Sequence, residues 1–388
     1  MSKKTKKKLA EMTPRERNAY RRKKRKKRRR VILIIELLVL ALLAGAVYLM
    51  TKIGTINFTE IGTVEKNKLD ARTQNLLSGY TNIALFGLDN RENGKLDRGN
   101  SDSIMVASIN NKTKEVRIVS VYRDTYLDID GEGTLRKANS AYSKGGPKQA
   151  IEMLNRNLDL DIEDYITVDF NALVEAIDAV GGVDVDVSEE EVQIIKEKGY
   201  AGEVAYVTGH EDEDQPIKPG TGVHLNGVQA TAWCRIRYTA SQDYGRANRQ
   251  RIVVEQLIQK AKKASPAQLD KLITGVFPDI ATSMSVTELI GLASGVQGYE
   301  LKGQTGFPFA VHSANLGKKA GSVVVPCTLE SNVKALYEYL YDETDYTPSD
   351  TVKSISKSVK QNSGLDEKDA LNYGYGTELT EDEGSSVK

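Results

Sequence analysis

The sequence predicts an α/β domain, a mixed central β-sheet flanked by helices in an α/β/α arrangement, placed after a single N-terminal transmembrane helix. Two observations carry this. Short apolar runs of strand length alternate with runs of helical periodicity from residue 82 to about 342. Before them stands one apolar run of twenty residues, Val31 to Met50, with a single charge, Glu36.

The N-terminal part fixes the topology. Residues 1–30 hold 17 Lys and Arg against 2 Asp and Glu, whereas the whole chain is nearly balanced at 54 to 53. Subtraction leaves the rest of the chain at 37 basic and 51 acidic residues, so the basic charge is concentrated at one end. At about 1.5 Å per residue the run 31–50 spans roughly 30 Å, the thickness of a bilayer core. The basic residues on its N-terminal side hold that side in the cytoplasm. Ala44-Gly45-Ala46 offers the alternative of a cleaved signal peptide, but the long basic region and full-length apolar run favour an uncleaved anchor. The expected protein is a cell-membrane protein with a single span, a cytoplasmic N-terminus and an extracytoplasmic domain, and no nucleic-acid partner.

The elements follow in order. Residues 51–79 are polar and read as a stalk. NIALFGLD (82–89) is a buried strand closing on a loop, and SIMVASIN (103–110) with EVRIVSVY (115–122) forms a hairpin across Asn111–Lys114. A helix is expected at 145–160 with Pro147 in its first turn, then a strand at 164–169 and a helix at 170–180 stopped by Gly181-Gly182. VDVDV (183–187) alternates strictly, as a strand does. Residues 232–238 read as a short β-like run, and a helix starts at Gly245. VVVP (323–326) and a helix at 331–342 close a domain spanning 80–342. Residues 343–388, acidic and rich in Ser, Thr and Gly, read as a disordered tail.

Charged groups gather at the ends of these elements. Arg235 and Arg237 alternate across Ile236, while Arg246, Arg249 and Gln250 fall at i, i+3 and i+4 near a helix start. Guanidinium forks converging on a helix N-terminus suit the oxygens of a pyrophosphate. Arg123 follows the strand 115–122, with Lys137, Asn139 and Tyr142 soon after; Arg91 follows Asp89. Asp89 and Asp102 stand at strand ends. On neighbouring strands they would suit a divalent cation such as Mg²⁺, and otherwise they are turn or capping residues. Three histidines without ligand spacing argue against a His-based metal site or a Ser-His-Asp triad. The two cysteines, Cys234 and Cys327, leave pairing or free thiols open.

Those blocks together resemble the LytR–CpsA–Psr family of membrane-anchored glycopolymer transferases. The resemblance rests on NIALFGLDNR, SDSIMVASIN, VSVYRDT, KANSAYSKGG, the 170–185 block and above all RIRYTASQDYGRANRQR. It implies an enzyme that moves a polyprenyl-pyrophosphate-linked glycopolymer (teichoic acid, capsule or similar) onto a peptidoglycan sugar hydroxyl and releases polyprenyl phosphate. By motif, Asp89 and Asp102 would hold Mg²⁺. Arg123, Arg235, Arg237, Arg246 and Gln250 would bind the pyrophosphate, a set to which Arg91, Lys137 and Arg249 are added. Asp243 would orient the arginines or serve as base. The resemblance also implies an apolar cavity for the lipid, between sheet and helices. The competing expectation is a polyprenyl-phosphate binder or pyrophosphatase acting in wall regulation.

Overall fold

The computed structural model describes Thr13 and residues 50–89, 96–239, 242–295 and 297–372. The chain divides into two compact units, Met1–Thr55 and Ile56–Lys388. The expected span, apart from Met50, lies outside the described residues, as do Arg91 and residues 373–388. No helix among the described residues is long and apolar enough to cross a membrane.

In chain order the second unit begins with β1 (Asn57–Phe58), α1 (Ala71–Leu77) and the three strands β2 (Tyr80–Leu88), β3 (Ser101–Asn110) and β4 (Glu115–Val121). A small hairpin, β5 (Tyr126–Asp128) and β6 (Leu135–Lys137), leads into α2 (Ser140–Leu158). Then come β7 (Asp164–Val168), α3 (Phe170–Ala179), β8 (Val183–Val187), α4 (Glu189–Lys198), α5 (Tyr200–Thr208), β9 (Gly220–Leu225) and α6 (Gly227–Trp233). The long α7 (Gln242–Ala261) is followed by α8 (Pro266–Val276), β10 (Ile280–Thr282), α9 (Val286–Gly295) and β11 (Glu300–Phe307). The last elements are β12 (Ala310–Asn315), β13 (Ser322–Pro326), α10 (Leu329–Tyr341), α11 (Asp350–Ser363) and β14 (Leu371–Asn372).

Seven strands make one mixed sheet in the order β1-β10-β7-β2-β3-β4-β11. Strand alternation divides its side chains. Ala84 and Phe86 point into the core built with α2, α10 and α11, whereas Ile83 on the other face joins the cluster closed by α9. A separate apolar cluster packs β8 and β9 against α3 to α7. The sheet therefore carries helices on both faces, as the sequence implies.

One register positions the site. β3 and β4 are antiparallel with Met105 opposite Ser120, and β2 and β3 pair Phe86 with Ile104. Extending the first register by three residues sets Asp102 opposite Arg123, and extending past Leu88 brings in Asp89. β7 runs parallel to β2, so its carboxyl end delivers Asp169 and Phe170 to the same edge.

The domain is larger than expected at both ends. Within the predicted stalk, β1 is hydrogen-bonded to β10, Asp70 caps α1, and Leu77 is buried in the main core. Within the predicted disordered tail, α11 buries Val352, Ile355 and Val359. Just before it, Ser349 and Tyr346 bond to the fully buried carboxylate of Asp159, at 2.7 Å from Ser349 Oγ and 2.8 Å from the Tyr346 hydroxyl. A polar composition concealed an apolar stripe at i, i+3 and i+7. Ending the chain after residue 342 should therefore cost on the order of 5 kcal/mol, from three buried aliphatic side chains at about 1.5–3 kcal/mol each as an upper bound. Urea unfolding of the two chains measures it; unchanged stability would show that α11 adds nothing to the core.

Candidate active site

At the sheet edge a chain of alternating charges runs through Asp102. Arg123 Nη1 donates to its Oδ1 at 2.8 Å, and Arg246 Nη1 to its Oδ2 at 3.2 Å, with Arg246 Nη2 also on the Asp102 carbonyl at 2.9 Å. Arg246 Nη2 reaches Asp243 Oδ1 at 2.9 Å, and Arg123 Nε stands 3.6 Å from that same oxygen. Asp124 completes the group, 3.8 Å from Arg123 Nε and 3.0 Å from Lys137 Nζ. The β5–β6 hairpin sets Lys137, because Ala138 and Asn139 donate their amides to the carbonyls of Thr125 and Arg123.

Burial and charge compete here. Burial pushes the Asp243 carboxyl up from its ordinary value; Arg246 and Arg123 oppose this, and Asp124 and Asp102 reinforce it. Burial draws the Arg246 guanidinium down, against the pull of Asp243, while Arg123, and beyond it Arg237, push the same way as burial. For Arg123 burial also lowers the pKa, but Asp102, Asp243 and Asp124 outweigh it and hold it above its usual value. Both arginines keep their charge, as guanidiniums do in proteins.

A second group is centred on Arg235. Arg235 Nη1 stands 3.0 Å from Glu203 Oε2 and its Nη2 3.8 Å from Asp89 Oδ2. Its guanidinium carbon lies 4.9 Å from the Phe170 ring centre and 5.1 Å from that of Tyr200, so two rings and a carboxylate fix its plane. Arg237 is half-buried and makes no hydrogen bond or ion pair among the described residues.

Between these charges and the interior lies a cavity of ≈ 260 Å³. Its walls are Leu85, Met105, Ile166, Val253, Val254 and Leu257, among other apolar groups of the sheet, α3 and α7. Asp89, Asp102 and Arg235 line it together with Gln250. Cys234 faces it as a thiol pushed up to about 12 by burial, with Arg249 and Arg246 opposing. Both cysteines are free and buried.

The structure corrects two expectations. Residues 234–237 are not a strand: α6 ends at Trp233 and an irregular turn carries Arg235 and Arg237. Those two arginines therefore do not share a strand face. Arg249 does not join Arg246; its Nε pairs with Glu191 at 2.6 Å and its guanidinium carbon lies 5.8 Å from the Trp233 ring centre. It braces α7 against α4, because a carboxylate capping α4 attracts the fork more strongly than the like-charged site does. Tyr142 is a core residue whose hydroxyl donates to the Leu96 carbonyl at 2.6 Å. The structure adds Asp124, Phe170, Tyr200 and Glu203. Asp124 adjoins a residue already singled out, but the other three reach the site only through folding.

Residues 49–308, more than half of the chain, match the LytR_cpsA_psr family. The chain belongs to the LytR_cpsA_psr family. The polyisoprenyl-teichoic acid–peptidoglycan teichoic acid transferase TagU of Enterococcus faecalis is 30% identical over 213 residues, 54% of this chain and 64% of the relative. The corresponding transferase TagV of Bacillus subtilis is 30% identical over 258 residues, 66% of this chain and 62% of the relative. The chain thus spans somewhat less than two thirds of the length of these relatives. The crystal structure of B. subtilis TagV aligns with a TM-score of 0.52 at 28% identity, covering 69% of this chain and 98% of that one. A Streptococcus agalactiae protein, gbs0355, shares the fold with a TM-score of 0.57 at 23% identity. In this LytR_cpsA_psr chain the family match covers every element that brings a charged group to the sheet edge.

Proposed function

We propose that this LytR_cpsA_psr protein is a membrane-anchored phosphotransferase acting outside the cell membrane. It takes a polyprenyl-pyrophosphate-linked glycopolymer and joins it through a phosphodiester to a peptidoglycan sugar hydroxyl. The observation that carries this reading is an apolar cavity whose lining includes three aspartates, Asp89, Asp102 and Asp169, and an arginine, with three more arginines close by. A lipid chain fits the walls and a pyrophosphate fits that end.

In the proposed reaction the hydroxyl oxygen attacks the phosphorus on the sugar side. The bridging P–O bond breaks, and its electrons leave with polyprenyl phosphate. Little covalent chemistry is asked of the protein beyond positioning and charge neutralisation. Arg123, Arg246 and Arg237 take the phosphoryl oxygens, and Arg235, held by Glu203 and its two rings, takes those nearer the lipid. Asp243, buried among the arginines, receives the hydroxyl proton.

The donor chemistry fits Mg²⁺ held jointly with substrate. Among the described residues no cluster of three or more His, Cys, Asp and Glu forms a metal cage. Mg²⁺ is commonly held by one or two carboxylates plus phosphate oxygens and water, and Asp89 and Asp102 supply that pair. The ion would neutralise charge on the pyrophosphate. Both Asp102 oxygens now rest on guanidiniums, so Arg123 and Arg246 would exchange a carboxylate for phosphate as substrate arrives.

The deciding assay gives the full chain in vesicles a lipid-pyrophosphate saccharide, Mg²⁺ and peptidoglycan fragments. Saccharide covalently joined to the fragments is expected; free saccharide phosphate alone would replace transfer with hydrolysis. Filling the cavity provides a second check. Val254→Trp should raise the KM for a long-chain donor about tenfold, the effect of excluding roughly two methylenes, and leave that for a short-chain donor unchanged. Equal KM changes for the two donors would show that the cavity does not hold the lipid.

A further inference from the structure

We infer that Tyr122 and Tyr244 form the platform on which the acceptor sugar lies while its hydroxyl meets Asp243. This deepens the transferase reading and rests on it. Tyr122 directly precedes Arg123, and Tyr244 directly follows Asp243. Arg123 Nε stands 3.6 Å from Asp243 Oδ1, and the two tyrosine rings meet edge to face with centres 4.7 Å apart. The four residues therefore close into one group. Two chain links and two contacts across the fold hold an aromatic pair against the charged site.

Neighbouring elements fix this pair. The Tyr122 amide donates to the Phe307 carbonyl at 3.0 Å. The Tyr122 hydroxyl lies where a side chain on Gly306 of β11 would begin, so that strand carries glycine where the ring passes. The Tyr244 hydroxyl stands 3.4 Å from Ser313 Oγ on β12. Ser313 is opposite Val324 of β13, whose amide donates to the Asp124 carbonyl at 2.9 Å. Ser313 and Asp124 thus bring a hydroxyl and a carboxylate to the surroundings of the rings. Both tyrosines are half-buried, and neither is part of the apolar clusters described above.

Two arguments assign the acceptor sugar to this pair. Displacement at phosphorus keeps the incoming and leaving oxygens roughly in line. The lipid leaving group lies toward the cavity, so the hydroxyl arrives from the side away from it. The wall that α7 gives the cavity is Gln250, Val253, Val254 and Leu257, and neither tyrosine is among the described residues lining it. Tyr244 lies about 100° round the helix from Asp243, off that side. The second argument is chemical. A pyranose ring has an apolar C–H face and a rim of hydroxyls. A tyrosine ring covers the first, and its polar tip and neighbours hydrogen-bond the second. An isoprenoid chain has no use for the polar rim, and a phosphate has none for the rings.

The test measures KM for each substrate separately, on the full chain in vesicles, with a peptidoglycan tetrasaccharide as acceptor. Tyr122→Leu and Tyr244→Leu should each raise the acceptor KM about tenfold, with a much smaller effect on the donor KM. Tyr122→Phe and Tyr244→Phe keep the rings and should restore most of the acceptor KM. Tyr206→Leu, at an exposed tyrosine on α5, is the control and should have no effect. Gly306→Ala leaves both rings in the chain but displaces Tyr122, so it too should raise the acceptor KM; where leucine unfolds the domain, this variant decides alone. A parental acceptor KM in the leucine variants overturns the subsite and leaves transfer intact. A rise in the donor KM alone would give the rings to the donor's saccharide and overturn the acceptor assignment. A parent protein that transfers nothing overturns the transferase reading, and calorimetric titration with the tetrasaccharide then decides the subsite separately. Binding weakened about tenfold in the leucine variants and not in Tyr206→Leu retains it as a saccharide site; equal or absent binding overturns it.

Discussion

Arg237→Ala should lower the rate of transfer by about 10²–10³ while the melting temperature stays where it was. The rate loss is that of removing one preorganised donor from a charge-developing centre, about 2.7–4 kcal/mol. The unchanged stability follows from the free structure, where this half-buried guanidinium makes no hydrogen bond or ion pair among the described residues. Its charge is felt at the buried Arg246, whose guanidinium it helps to draw down. A cation close to another cation, with no hydrogen bond or ion pair among the described residues, is an arrangement that an incoming anion makes favourable.

Arg246 is the instructive contrast. It contacts Asp102 and Asp243 and is almost wholly enclosed, so Arg246→Ala strips two carboxylates of a buried partner. A destabilisation of about 3–5 kcal/mol is expected there, and lost activity would confuse folding with catalysis. Single-turnover rates and melting curves on both variants separate the two cases. If Arg237→Ala transferred saccharide at the parent rate, the phosphate grip would not include this residue.

What the sequence could reveal differs by element. The strands at 82–88, 103–110 and 115–121 carry apolar alternation strong enough to place them, and their hairpin makes the meeting of Asp102 and Arg123 a matter of register. The RIR run misleads because period-two spacing also arises in an irregular turn when one residue, Ile236, is buried beneath it. The direction of Arg249 depends on Glu191, 58 residues away, and no local pattern contains that information. The same holds for Glu203, Phe170 and Tyr200, which reach Arg235 only through the packing of α3 and α5. The α11 helix is a different kind of miss. Its stripe at Val352, Ile355 and Val359 is present in the sequence, but it lies within a segment whose polar composition is that of a solvated tail.

Asp243→Asn should reduce transfer by about 10²–10⁴, the usual contribution of a positioned base, and should abolish the acid limb of the pH–rate profile. The sign follows from the site. Burial raises the Asp243 pKa above 3.8, with Asp124 and Asp102 adding to the rise and the two arginines resisting it. The base form is therefore lost at a higher pH than for an ordinary carboxylate, and the rate climbs as pH rises through that value. Asp124→Asn provides the control that a merely structural role would fail. It removes one of the negative neighbours holding the Asp243 proton, so the acid limb should move to lower pH while the pH-independent rate changes less. Asparagine keeps the shape of Asp243 but withdraws a negative charge from Arg246 and Arg123, so melting curves must accompany the kinetics. A folded Asp243→Asn protein with the parent rate and the parent acid limb would remove Asp243 from the proton's path. The same limb in the parent and Asp124→Asn, with Asp243→Asn slow, would leave Asp243 as the residue that orients the arginines and would assign the proton to another group.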